Sequence, residues 1–284
     1  MVTYLDVVIK WWNGHAHVVD FTNPQSTAWF RRRLQQFQAT YGLDTFKFDG
    51  GETASLGREF KFTKFKCDDV EAWSKGYAAM AAEFGGRVEV RIGVSTQSLP
   101  IMVRLSDRQS MWGIEDGLRS LIPACLQLGL LNYPFCLPDM VGGNAYLLNA
   151  FLPVVQFSIT PWSYDAETVE ICREILKLRQ EFLPRILELA QACSGPRSGE
   201  PLIRPMWFAD GESSWALHCD TQFLLCEDVL VAPVVEEGGR ERRVRLPAGR
   251  WHCRIDGALH TGPAQLLQRA RLRDLPLYVR ETPE

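Results

Sequence analysis

The sequence predicts an α/β fold: part of a (β/α)8-type barrel over residues 1–195, then an all-β domain of sandwich type over 196–284. Three observations carry that prediction. Short apolar strands alternate with amphipathic helices through the first two thirds of the chain, the pattern of a parallel sheet covered by helices. Each of these strands ends in a polar or charged residue beside Gly or Pro, as barrel strands do at their active face. Beyond the Gly/Pro/Ser run from Pro196 to Pro201, the pattern changes to hairpin-like strands separated by turns.

The elements follow in order. Residues 1–14 read as an extended start ending in the turn Trp11-Trp12-Asn13-Gly14. Asn23 is a helix N-cap with Pro24 at the first helical position, and Trp29, Phe30, Leu34 and Phe37 recur at helical spacing over 24–40. In Thr45-Phe46-Lys47-Phe48-Asp49-Gly50-Gly51-Glu52, period-2 alternation marks a strand at 45–49 that two glycines break just where a carboxylate emerges. A helix over about 69–84 stops at Gly85-Gly86, and strands follow at 88–92 and 101–105. Next come a helix over about 115–130, strands at 133–137 and 151–159, and a long helix over 165–193. In the last region the strands are 222–225, 229–234, 243–246 and 251–255, the last two parted by the turn Pro247-Ala248-Gly249.

Composition narrows the function. The 284 residues carry a net charge of −3 with dispersed basic residues, which offers no footprint for nucleic acid or an anionic membrane. The 8 cysteines (67, 125, 136, 172, 193, 219, 226 and 253) form no CxxC pair, so structural zinc is not expected, and several lie in apolar runs as buried thiols. Met1 to Trp12 lacks a basic start followed by an apolar stretch, and no apolar run approaches 18 residues, so neither a signal peptide nor a membrane span is expected. Asn-x-Ser/Thr sequons, phosphate loops, a Gly-x-Ser-x-Gly elbow and HExxH are all absent.

The strand ends hold the chemistry. Lys47, Asp49, Arg91, Arg104, Asp107 and Asp139 place three carboxylates and three cations at strand C-termini. Two carboxylates in different surroundings suit glycoside hydrolysis: one attacks an oxocarbenium-like centre and the other protonates the leaving oxygen. Lys47, two residues from Asp49, is the expected neighbouring positive charge. Asp49 could equally brace its turn. For Asp107 the plain alternative is a helix-start cap within Ser106-Asp107-Arg108, and a metal- or phosphate-dependent barrel enzyme is a third reading, for which the sequence offers neither ligand-spaced His nor a phosphate loop.

Several ordered motifs resemble glycoside hydrolase family 31. They are Trp11-Trp12-Asn13-Gly14, Asp20-Phe21-Thr22-Asn23-Pro24, Phe46-Lys47-Phe48-Asp49-Gly50-Gly51-Glu52, Arg119-Ser120-Leu121-Ile122-Pro123, Tyr133-Pro134-Phe135 and Pro138-Asp139-Met140-Val141-Gly142-Gly143-Asn144. Gln222-Phe223-Leu224-Leu225 and Leu230-Val231-Ala232-Pro233-Val234 are similar to the family's following β-domain. The resemblance spans essentially the whole chain. It implies a retaining α-glycosidase acting on terminal α-linked sugars, with Asp49 as nucleophile and Asp107 as acid/base. It also implies Arg91, sixteen positions before Asp107, as a substrate-binding residue, with Trp12, Lys47 and Asp139 lining the sugar pocket. Ser158 stands where the family's α-glucosidases carry His, which is similar to its galactosidase-type members and points to α-galactosides. A carbohydrate substrate is the expected partner, and neither a metal nor an organic cofactor is required.

The resemblance further implies an N-terminal β-domain and three barrel strands before Trp11, and a longer connection between Asp139 and Phe157 than the one present. Five strands are counted here where a barrel needs eight, so a truncated catalytic domain is expected. Impaired catalysis follows as an alternative, and so does a sugar-binding or regulatory role without turnover. By the same resemblance, the protein belongs in the secretory pathway or endoplasmic reticulum lumen, behind an upstream anchor.

Overall fold

The computed structural model describes residues 4–11, 13–56, 71–109, 111–138, 160–195, 199–225 and 227–281. The expected strand at 151–159 lies outside them. Two compact units emerge, Met1–Arg104 and Leu105–Glu284.

The first unit opens with an antiparallel hairpin, β1 (Tyr4–Trp11) and β2 (Gly14–Val19), where an extended start and a turn were expected. Helix α1 (Pro24–Tyr41) begins as its sequence dictates. The Asn23 side chain accepts from Gln25 N–H at 2.9 Å, Pro24 occupies the first turn, and Gly42 closes the other end at φ 63°. Three short strands then pair in parallel: β3 (Lys47–Phe48), β4 (Glu89–Val90) and β5 (Met102–Arg104). All three are shorter than their apolar runs, because only the central residues make ladder hydrogen bonds.

Helix α2 (Glu71–Ala82) covers this sheet, burying Trp73, Tyr77, Ala78, Met80 and Ala81. An aromatic layer knits the helix to strand and loop. Tyr77 lies 5.0 Å from Phe21 and 6.0 Å from Phe48, centroid to centroid, and is stacked with Trp73 at an interplanar angle of 9°. Gly76 permits this closeness, since a Cβ there would stand 2.4 Å from the Phe21 carbonyl oxygen.

In the second unit a single 3-10 turn (Leu118–Ser120) leads into α3 (Leu121–Leu130), in place of one helix from 115. Strand β6 (Cys136–Leu137) follows, and α4 (Ala166–Ser194) starts at Asp165, whose carboxylate accepts from Thr168 N–H at 2.7 Å. Six strands then form one antiparallel sheet in the order β11-β10-β12-β9-β8-β7. They are β7 (Ile203–Arg204), β8 (Phe223–Leu225), β9 (Val229–Val231), β10 (Glu241–Cys253), β11 (Leu259–Arg269) and β12 (Leu277–Arg280). Among the described residues these strands form one sheet where a sandwich was expected, with a short helix α5 (Ser214–Leu217) between β7 and β8.

One correction concerns residues 243–255. The Pro247-Ala248-Gly249 segment does not end a strand but is a register shift within β10, between Leu246 and Gly249. A bulge absorbs the proline without breaking the ladder on either side. A shared core joins helices to sheet: Leu121, Ile122 and Cys125 of α3 and Phe182, Ile186 and Leu189 of α4 cluster with Phe223, Val229, Val231 and Leu277. Among the described residues, no helix is long and apolar enough to cross a membrane.

Candidate active site

The site of the first unit follows from strand register. Lys47 pairs with Glu89 and Glu89 with Met102, while Phe48, Val90 and Val103 align at the next step. One step further brings Asp49, Arg91 and Arg104 level at the C-terminal ends of three parallel strands. Because side chains alternate, Phe48, Val90 and Val103 turn into the apolar core. The charged residues then share the other face.

The charges interlock there. Arg104 Nη2 donates to Asp49 Oδ1 at 2.7 Å, and Arg91 Nη1 reaches the same oxygen at 3.4 Å. Behind them, Arg104 Nε is 2.9 Å from Glu89 Oε1, Lys47 Nζ is 3.7 Å from that oxygen, and Arg91 Nε pairs with Glu52 Oε1. The Asp49 side chain is 60% exposed whereas those of Arg104 and Glu89 are 3% and 5% exposed, so a solvent-facing carboxylate rests on a buried ionic base. The positive neighbour expected from Lys47 is thus supplied by two guanidinium groups, and Lys47 forms its ion pair with Glu89.

Helix α2 holds the loop that carries the carboxylate. Tyr77 Oη donates to the Asp49 carbonyl at 2.7 Å and Ser74 Oγ to the Gly51 carbonyl at 2.6 Å. Burial, with the nearby Asp49 and Glu52 charges, pushes the Tyr77 phenol well above its ordinary range, which keeps it a donor. Gly50 and Gly51 adopt φ 74° and 97°, a conformation open to glycine. Asp49 borders a cleft of about 240 Å³ lined by Trp11, His17, Glu52, Trp73 and Tyr77 among others.

Of the sequence-derived site residues, Lys47, Asp49 and Arg91 come together in this network. Asp107 is exposed in the second unit, in a loop rather than at a helix start, and the adjacent Arg108 donates to Asp116 at 3.3 Å and Ser120 at 3.2 Å. Trp12, Asp139 and Ser158 lie outside the described residues. Sequence reasoning passed over Glu89 and Glu52 and did not give Arg104 a partner. Glu89 had a signal, being a charged residue between Val88 and Val90 with the same strand parity as Arg91. Among the described residues, no group of three His, Cys, Asp or Glu could hold a metal.

Comparison with known proteins decides the family. Residues 3–82 match the profile described as "Glycosyl hydrolases family 31 TIM-barrel domain", and residues 199–282 match "Glycosyl hydrolase family 31 C-terminal domain". The chain belongs to glycosyl hydrolase family 31. Within the family it is 42% identical over 270 residues to the Myogenesis-regulating glycosidase of Mus musculus, covering 87% of this chain and 37% of that protein. It is 28% identical over 257 residues to the SITS-binding protein of Tetronarce californica, covering 85% and 36%. The chain therefore spans little more than a third of the length of these curated relatives. The structure of a family 31 alpha-xylosidase from a soil metagenome, complexed with xylose, superposes with a TM-score of 0.86 at 20% identity. That alignment covers 97% of this chain and 48% of the other, and it bears on the fold alone.

Proposed function

We propose that this chain carries the nucleophile and the acid/base of a retaining α-glycosidase selective for terminal α-galactosides, its residues divided between a barrel portion (1–195) and a β-domain (196–284). The observation that carries the reading is the Asp49 carboxylate, exposed at a strand end and held by Arg104 and Arg91 through one oxygen. A second acid, Asp107, follows the next-but-one strand. Kinship with the Myogenesis-regulating glycosidase supports the hydrolase reading, and Ser158 supports galactose over glucose.

In the proposed reaction an Asp49 oxygen bonds to the anomeric carbon as the glycosidic C–O bond breaks, and Asp107 passes its proton to the leaving oxygen. Water then attacks the same carbon and gives its proton to Asp107, the ester bond to Asp49 breaks, and the sugar leaves with its configuration retained. Arg91, Trp12, Lys47 and Asp139 are assigned to substrate binding, with no cofactor in either step.

A second reading, sugar binding without turnover, is favoured by one fact: a 28%-identical relative is named for binding, as the SITS-binding protein, and not for hydrolysis. Hydrolysis of an aryl α-galactoside, followed by proton NMR of the product anomer, separates the two. Net retention, together with a loss of at least about 10³-fold in kcat for Asp49→Asn, is expected. Galactose binding without turnover in the unsubstituted protein would establish the binding reading instead.

A further inference from the structure

We infer that Arg104 and Glu89 form a buried positioning pair that sets the attacking oxygen of Asp49. This rests on the reading of Asp49 as the nucleophile. Both guanidinium contacts to Asp49 fall on Oδ1, at 2.7 Å from Arg104 and 3.4 Å from Arg91, so Oδ2 is the oxygen clear of them. Oδ2 therefore forms the bond to the anomeric carbon, and the electron pair of the breaking C–O bond leaves with the aglycone oxygen, protonated by the acid/base. Oδ1 becomes the ester carbonyl and keeps its hydrogen bond from Arg104.

Exposure assigns the two arginines different tasks. Arg91 has a 22% exposed side chain open to solvent beside Asp49, whereas the Arg104 side chain is 3% exposed and cannot meet a sugar. A buried guanidinium needs an opposing charge. Glu89 provides the charge, its Oε1 lying 2.9 Å from Arg104 Nε in an ion pair without hydrogen-bond alignment, with Lys47 Nζ 3.7 Å from the same oxygen. The fork of Arg104 thus spans two carboxylates, one structural and one reactive. Lysine could not do this, because a single ammonium lacks the planar fork. Glu89 acts through Arg104, so its removal alters where Asp49 Oδ1 is held rather than how the sugar is recognised.

The test is trapping by a fluorinated α-galactosyl fluoride, followed by intact mass and peptide mapping. Its first-order labelling rate does not depend on the fraction of protein folded. The unsubstituted protein is expected to be labelled on Asp49. Glu89→Gln and Arg104→Lys each slow labelling on the order of 10²-fold, since a displacement of about 1 Å has that effect on a reacting group. Half-saturating substrate stays within about twofold. The double variant labels no slower than Arg104→Lys alone, the non-additivity of residues acting in series. Glu89→Asp, which keeps the charge, recovers part of the rate and carries the test if Glu89→Gln does not fold. Labelling of a Glu89 variant at the unsubstituted rate, or penalties that multiply in the double variant, overturns the positioning pair alone. Failure of the unsubstituted protein to label Asp49 overturns the hydrolase reading and this inference with it.

Discussion

Gly51 shows how little freedom surrounds the reactive carboxylate. Its φ is 97°, and a Cβ built there would stand 2.7 Å from Tyr77 Cδ1 and 2.9 Å from Ile92 Cγ2. Tyr77 cannot yield easily, since its ring is buried against Phe21, Phe48 and Trp73 and its hydroxyl holds the Asp49 carbonyl. Gly51→Ala therefore combines backbone strain with a clash, and should destabilise the protein by roughly 1–3 kcal/mol. It should also move Asp49 relative to Arg104. Urea titration would register the first effect and the labelling rate at Asp49 the second, and a variant matching the parent in both would show that the loop gives way. The Asp-Gly-Gly turn was legible from residue types, because two glycines ending a period-2 run imply a strand delivering its last side chain into a loop. The partners of Asp49 were not. Guanidinium reach across neighbouring strands depends on register, which residues 40 and more positions apart do not announce locally. Lys47, close in sequence, drew the assignment that belonged to Arg104.

Helices were more readable than strands, and the reason is local. The Asn23 cap, Pro24 and Gly42 are contacts within one helix, and they mark α1 (Pro24–Tyr41) closely. Strand ends depend on a partner, so β3, β4 and β5 stop where the ladder stops rather than where the apolar run does. The bulge at 247–249 was hidden for the same reason, since Pro-Ala-Gly reads as a turn until a long partner such as β11 is present. Pro184 makes the complementary point at the level of an element. It lies exposed inside the 29-residue α4, where it removes a backbone donor and crowds the preceding turn. The buried face of Phe182, Ile186, Leu189 and Cys193 holds the helix together across it. Pro184→Ala should then stabilise the protein by about 1–3 kcal/mol, the propensity difference less whatever bend the packing retains. A rise in the denaturation midpoint is the expected result, and a fall would mean that the bend itself is needed for packing.

At the scale of the whole molecule, a change of composition near residue 196 was visible, but the long-range packing that ties α4 to the sheet was not. Ile186 and Leu189 share one cluster with Val229, Val231 and Leu277, so the sheet and the helices before it draw on a common core. Both units also bury a tyrosine, which couples overall stability to alkaline pH. Tyr77 in the first unit is pushed above its ordinary range by burial, then by Asp49 and Glu52. Tyr278 in the second is raised by burial, then by Cys253, and its hydroxyl donates to Gln268 at 2.8 Å. The sign follows from proton counting. A phenol whose folded-state value lies above the unfolded one, about 10, keeps its proton after the unfolded chain has released it. The unfolded state then binds fewer protons, and stability falls as pH rises. The contribution is complete below about pH 10 and is lost progressively above it. Burial also raises the Cys219 and Cys253 thiols, so urea denaturation at intervals from pH 8 upward should show a decline that steepens above about pH 10, where the phenols join it. Tyr77→Phe should lower stability at pH 8 by about 1 kcal/mol, the typical worth of one hydrogen bond, and make the decline above about pH 10 shallower, because one of the retained protons is gone. A decline equally steep in Tyr77→Phe and the parent would place the alkaline loss elsewhere in the molecule.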